Sequence, residues 1–324
     1  MTIVLLFTGI ALLLAGGTAL VRGASGLAEI YGVSPLVVGL TVVAFGTSAP
    51  ELMVNVLGAL RNETALAFGN IAGSNIANLG LVLGMAALFM PLSIQGQIIR
   101  RELPLLLLAT SVLVVMTADP FFRGLAPVLD RSDGMIMLLL FSIFIYLTAS
   151  DLLREKEDPL VAAVDALPLK VSGSKASYGV IILLGAAGLA LGANLTIEHG
   201  SALATAWGVS PVIVGIFVVA IGTSMPELVT SIIAAMNRQA DLCVGNVIGS
   251  NIFNGMFVLP ISALIRPLEV PPGGLIDLSV GLLLAAALIP IFIVGNSHMT
   301  RIAGIAFVLI YAGYLALRLQ IPGA

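Results

Sequence analysis

Two glutamates, Glu51 and Glu227, lie deep in long apolar runs at matching places in two copies of one motif, while nearly all the other acidic residues fall at the ends of such runs or between them. An ionisable group at the centre of a membrane helix costs at least ~2.5–3.5 kcal/mol on insertion scales and is functional as a rule. A structural carboxyl, protonated and hydrogen-bonded between helices, is the alternative, but such an accident would not arise twice in register. Thr47 and Ser48 precede Glu51 by four and three residues, so the three share one helix face. Pro50 lacks an N–H and is expected to free the carbonyl of Gly46 and loosen the backbone there. Such carbonyls are tolerated in hydrocarbon only where they line a cavity or bind something. Thr223, Ser224, Pro226 and Glu227 repeat the arrangement.

The next run carries Ser74, Asn75 and Asn78, and its counterpart carries Ser250, Asn251 and Asn254. These side chains suit a polar site, with interhelical hydrogen bonding as the lesser alternative. Gly69, Gly73, Gly245 and Gly249 form small-xxx-small ridges that let helices approach closely. Together the two copies offer two carboxylates, hydroxyls, amide oxygens and loosened carbonyls, without sulfur or imidazole. Hard cations such as Ca²⁺ take six to eight oxygen ligands, and two carboxylates neutralise one Ca²⁺. Once that ion leaves, two facing carboxylates repel, so sodium ions or protons must replace it. This points to exchange. With no phosphate-binding loop in the chain, an ion gradient is the expected driving force.

These residues need a membrane scaffold. The 324-residue chain is 59% hydrophobic and 10% charged, with mean hydropathy +1.13 and formal net charge −3. A soluble domain is about 25% charged, so a soluble enzyme or a nucleic-acid binder is excluded. Cys243 alone cannot form an internal disulfide, and His199 and His298 alone make a zinc site improbable. Nor is a nucleophile–base pair visible, so the chain is not read as an enzyme. A bilayer crossing takes about 20 residues. Ten runs qualify: 2–21, 33–59, 65–90, 102–118, 133–151, 178–197, 209–235, 241–265, 275–294 and 302–320. The first lacks a basic flank and is taken as a true span rather than a cleaved signal.

The halves repeat without a gap. Gly32-Val33-Ser34-Pro35 recurs as Gly208-Val209-Ser210-Pro211, Gly46-Thr47-Ser48-Ala49-Pro50-Glu51 as Gly222-Thr223-Ser224-Met225-Pro226-Glu227, and Gly73-Ser74-Asn75-Ile76-Ala77-Asn78 as Gly249-Ser250-Asn251-Ile252-Phe253-Asn254. Five spans per half is odd, so the second copy must be inverted in the membrane, an architecture common among secondary transporters. The expected fold is an all-α polytopic membrane protein of ten transmembrane helices in two inverted five-helix repeats, 1–153 and 176–324. The polar stretch 154–175 between them holds all the lysines and is expected to be a cytoplasmic tether, with both termini outside.

At these motifs the sequence resembles the cation/calcium exchanger superfamily, and within it the compact prokaryotic calcium/sodium antiporters. The resemblance covers essentially the whole chain. It implies one calcium site and several sodium sites between spans 2, 3, 7 and 8. Glu51 and Glu227 would be the calcium carboxylates, completed by the carbonyls of Thr47 and Thr223. Ser48, Ser74, Ser224 and Ser250, with the carbonyls of Ala44 and Ala220, would line the sodium sites, and Asn78 and Asn254 would sit at the centre. Some members carry an aspartate at the place of Asn254, so this chain has two central carboxylates where those have three, which argues against potassium co-transport. The resemblance also implies that spans 1 and 6 slide against the other eight. Their glycines Gly9, Gly16, Gly17, Gly185, Gly188 and Gly192 suit a sliding face or ordinary packing equally.

The expected activity is secondary-active exchange of Ca²⁺ for Na⁺ by alternating access. A Ca²⁺/H⁺ antiporter, or an exchanger of another divalent cation, on the same scaffold is the alternative, and a cation channel is the rival from another class. Transported ions, not resident cofactors, are expected, with the lipid bilayer as surroundings and no nucleic acid or obligate protein partner. Compactness suggests a prokaryotic inner membrane.

Overall fold

The computed structural model describes residues 2–96, 98–122, 124, 126–157, 174–207, 222–318 and 320. Helices account for most of them: α1 (Thr2–Tyr31), α2 (Pro35–Thr47), α3 (Ala49–Leu60), α4 (Thr64–Phe89), α5 (Leu103–Met116), α6 (Arg131–Glu157), α7 (Lys175–Ala206), α8 (Met225–Met236), α9 (Ala240–Ile265), α10 (Gly274–Val294) and α11 (Arg301–Arg318). Among the described residues seven helices are long and apolar enough to cross a bilayer, and the bent pair α2–α3 makes an eighth. Two shorter helices stand at the other expected spans. The 14-residue α5 is led by a π-helical turn, Ile98–Glu102. The 12-residue α8 follows residues 208–221, which lie outside the described residues, so the first half of the expected seventh span does too.

Several boundaries differ from expectation. The first helix continues past residue 21 to Tyr31, because Gly23, Ala24, Gly26 and Ala28 beyond Arg22 are buried. The expected tether begins inside α6, which runs to Glu157, and α7 already starts at Lys175.

The two halves are related by a pseudo-two-fold exchange. Strand β1 (Leu92–Ser93), after α4, pairs antiparallel with β4 (His298–Met299), between α10 and α11. Strand β2 (Val128–Leu129), between α5 and α6, pairs with β3 (Leu268–Glu269), after α9. Each half thus lends a strand to the other at equivalent places. The repeat extends to backbone detail. Asn62 and Arg238, which end equivalent helices, both take positive φ (67° and 61°). Helices α4 and α9 each relax into a π-helical turn beginning at an asparagine, Asn78–Leu83 and Asn254–Val258.

Through their most apolar stretches α4 and α9 are 72% and 78% buried, against 22% to 39% for the other long helices, so these two form the centre of the bundle. Close approach explains how α2 reaches them. A Cβ on Gly249 would lie 2.6 Å from the Leu40 carbonyl oxygen, and one on Gly245 would lie 2.8 Å from that of Leu36. Only glycine lets backbones meet at that distance. The glycines of α1 and α7 settle a question that the sequence leaves open. Gly9 faces Gly192 and Thr196, Gly16 faces Gly185 and Leu189, and Gly188 faces Gly16, while Gly17 alone of the six turns to α8. They therefore clamp α1 to α7 rather than paving a face between that pair and the rest.

Candidate functional site

Each carboxylate follows a serine whose backbone leaves the helical region. Helix α2 ends at Thr47, Ser48 takes φ −85° and ψ 5°, and α3 departs at 47°. Ser224 has nearly the same backbone, φ −86° and ψ 8°. Glu51 and Glu227 therefore occupy the first turn of short helices, α3 and α8, whose free N–H ends favour negative charge. The backbone turns at Ser48, which still donates to the Ala44 carbonyl at 3.0 Å and accepts from Leu52 N at 3.1 Å, and Pro50, like Pro226, lies in the first turn of the new helix, where a missing N–H is tolerated.

The break also redirects the hydroxyls. On an unbroken helix Thr47 and Ser48 would share a face with Glu51; instead they serve the opposite half. Ser48 Oγ donates to Glu227 Oε1 at 2.9 Å. Thr47 and Ser250 lie beside the same carboxylate, and Thr223 and Ser74 lie beside that of Glu51. The Thr47–Ser250 and Thr223–Ser74 hydroxyls are 3.4 Å and 3.0 Å apart. The two glutamates are within electrostatic reach of one another. Glu51, Glu227, Ser48, Thr47, Ser74, Ser250, Asn78 and Asn254 have no measurable solvent exposure, and Ser224 has 2%.

Four asparagines close the centre. Asn251 Nδ2 donates to the Asn75 carbonyl at 3.1 Å, Asn75 Nδ2 returns to the Asn251 carbonyl at 3.5 Å, and Asn78 Nδ2 donates to Asn251 Oδ1 at 3.0 Å. The equivalent bond from Asn254 is not made, which breaks the symmetry. Among the described residues both Glu51 oxygens, Glu227 Oε2, Ser224 Oγ, Asn78 Oδ1 and both amide atoms of Asn254 are buried without a hydrogen-bond partner. Buried polar groups are seldom left so, and most of these are oxygens able to face a cation. The Ala44 carbonyl already accepts from Ser48 N at 3.0 Å and Thr47 Oγ1 at 3.3 Å. Ala220 lies outside the described residues. Among the described residues no group of three or more His, Cys, Asp or Glu side chains is placed to hold a metal ion; the donor set here is two carboxylates plus neutral oxygens, suited to hard cations.

Sequence reasoning missed two members of this network. Asn55 and Ser231 lie four residues after Glu51 and Glu227, on the same helix faces, and each accepts a hydrogen bond from an asparagine of the neighbouring helix, Asn70 at 2.7 Å and Asn246 at 3.0 Å. Two polar residues at one spacing from a repeated glutamate are the signal that marks them. A second buried polar cluster, also missed, lies apart: Asp277 accepts from Arg318 and Tyr314, both at 3.0 Å.

Comparison with known proteins gives four likenesses of note. A family model described as "Sodium/calcium exchanger protein" matches residues 1–149 and 177–320. The chain is similar to inner membrane protein YrbG of Escherichia coli, 35% identical over 83% of this chain and 81% of that one. It is similar also to the sodium/calcium exchanger MaX1 of Methanosarcina acetivorans, 27% identical over 96% of both. Among solved structures it resembles the sodium–calcium exchanger NCX_Mj soaked with sodium and strontium, with TM-score 0.82, 27% identity and 97% coverage of each chain.

Proposed function

Because the chain belongs to the sodium/calcium exchanger family, we propose that it carries Ca²⁺ across the membrane in exchange for Na⁺ by alternating access, with Glu51 and Glu227 as the calcium carboxylates. The observation that carries this is the pair itself: two fully buried carboxylates from opposite halves, each in the first turn of a short helix, with three of their four oxygens unpartnered among the described residues. A divalent cation balances both charges at once. When it leaves, the same oxygens cannot stay bare at low dielectric, so sodium ions take the hydroxyl and carbonyl positions of Ser48, Ser74, Ser224, Ser250, Ala44 and Ala220. Thr47 and Thr223 carbonyls complete the calcium shell, and Asn78 and Asn254 supply neutral oxygen at the centre without adding charge.

Two discrete arrangements are needed for exchange. The clamped pair α1–α7 packs on α8 and α2 from one side and is the body expected to move. Both termini face outward and the central polar stretch faces the cytoplasm of a prokaryotic cell, following its lysines.

The test is calcium uptake into proteoliposomes loaded with sodium and diluted into sodium-free calcium buffer at constant pH. Uptake that vanishes without internal sodium supports sodium coupling. Equal uptake under a proton gradient without sodium moves the assignment to calcium/proton exchange at the same glutamates. Flux that needs no counter-ion moves it to a channel.

A further inference from the structure

Asn55 and Ser231 touch neither carboxylate, yet each begins a hydrogen-bonded relay that ends beside one. In the first half, Asn55 Nδ2 donates to the backbone carbonyl of Ala67 at 2.9 Å. A carbonyl can only accept, so this bond fixes which way the Asn55 amide points. Its Oδ1 then accepts from Asn70 Nδ2 at 2.7 Å, which fixes the Asn70 amide in turn. Asn70 Oδ1 accepts from Thr223 Oγ1 at 3.3 Å. Thr223 has one proton, and the relay commits it to Asn70. The Ser74 hydroxyl lies 3.0 Å from the Thr223 oxygen, and both hydroxyls stand beside the Glu51 carboxylate.

The second half builds the same relay from different residues. Asn246 Nδ2 donates to Ser231 Oγ at 3.0 Å, Asn246 Oδ1 accepts from Thr47 Oγ1 at 3.2 Å, and Thr47 is paired with Ser250 beside Glu227. Ser231 stands beside the thiol of Cys243. Ala67 and Cys243 are equivalent positions of the repeat, as are Asn55 and Ser231. The large–small pair Asn55/Ala67 in one half is thus answered by Ser231/Cys243 in the other. Two different residue pairs thus place a polar partner against the same amide of the repeat. All members of both relays except Thr223 are buried.

We propose that Asn55 and Ser231 are positioning residues for cation binding: acting through Asn70 and Asn246, they hold the hydroxyls of Thr223 and Thr47 in place beside the two carboxylates. This rests on the assignment of the cation site to Glu51 and Glu227. A hydroxyl whose proton is engaged by an amide oxygen keeps its lone pairs for a cation. In the second half Thr47 also donates to the Ala44 carbonyl at 3.3 Å.

The experiment is sodium-dependent calcium uptake in proteoliposomes, read as half-saturating calcium and maximal rate separately. Asn55→Ala frees the Asn70 amide to flip and is expected to raise half-saturating calcium about tenfold, the size of one hydrogen-bonded contact, with the maximal rate within about twofold of the parent. The double variant Asn55→Ser/Ala67→Cys transplants the second half's pair and is expected to restore half-saturating calcium. Ser231→Ala is expected to shift it the same way, and it serves as the variant if Asn55→Ala yields no folded protein. Unchanged half-saturating calcium in folded Asn55→Ala, a loss confined to the maximal rate, or a transplant that fails to restore affinity each overturn the proposal. Glu51→Gln, run alongside, separates the two levels. If it transports calcium normally, the site assignment itself falls; if it is inactive while Asn55→Ala is normal, only the relay does.

Discussion

Replacing Glu227 by glutamine removes one charge and little else, and the structure says what that change does. The Gln side chain has the same length, and its Oε1 can keep the 2.9 Å hydrogen bond from Ser48 Oγ. The position has no solvent exposure, so a neutral amide removes a buried charge and folding is retained. What is lost is half of the charge that balances a divalent cation. Removing one member of a buried, compensating charge set leaves the other uncompensated at a cost of about 3–5 kcal/mol. At about 1.4 kcal/mol per decade, calcium affinity should fall by roughly two to three and a half decades. Calcium flux at micromolar substrate should then be undetectable in sodium-loaded proteoliposomes. Glu51→Gln should do the same, although neither Glu51 oxygen has a hydrogen-bond partner among the described residues to preserve. In detergent, both variants should melt at or above the parental temperature without calcium, and calcium, which stabilises the parent by mass action, should no longer raise their Tm. Calcium uptake at the parental rate by either variant would refute the argument, and so would a calcium-dependent Tm rise of parental size.

Other outcomes follow from the same geometry. Gly249→Ala should cost about 1–3 kcal/mol, as overpacked cores do, because its Cβ would meet the Leu40 carbonyl oxygen at 2.6 Å; a thermal melt that matches the parent would remove the close α2–α9 crossing. Asp277→Ala strands Arg318 and Tyr314, both 3.0 Å from Asp277 Oδ1, and should destabilise by about 3 kcal/mol. Replacing the pair as Asp277→Leu/Arg318→Met should recover most of that loss in the same melt. Cysteines at Ser93 and at Glu269, equivalent exposed strand residues of the two halves, should be labelled from opposite sides: a membrane-impermeant maleimide on intact cells should reach position 269 and not position 93. Cys243, fully buried, can stay in place. Labelling of both from outside would contradict the inverted arrangement.

The sequence carried the fold class directly, because hydrocarbon permits few spanning structures. Apolar runs of the right length can only be helices there, and an odd number of them per copy forces inversion. Glu51 and Glu227 were equally legible, since a charge inside an apolar run stands out against its surroundings and its repetition excludes chance. What lay beyond the sequence was which groups meet. Spacing along one helix assigned Thr47 and Ser48 to Glu51; the break at Ser48, a matter of two dihedral angles, handed Ser48 to Glu227 instead. The glycines of α1 and α7 were countable, but only packing showed that they face each other. Asn55 and Ser231 looked like ordinary polar residues near a helix end until tertiary contact placed Asn70 and Asn246 against them. Composition and local periodicity are properties of one segment, so one chain suffices to read them. The partner of a hydroxyl is decided by helices that lie far apart in sequence, and no spacing within a segment records it.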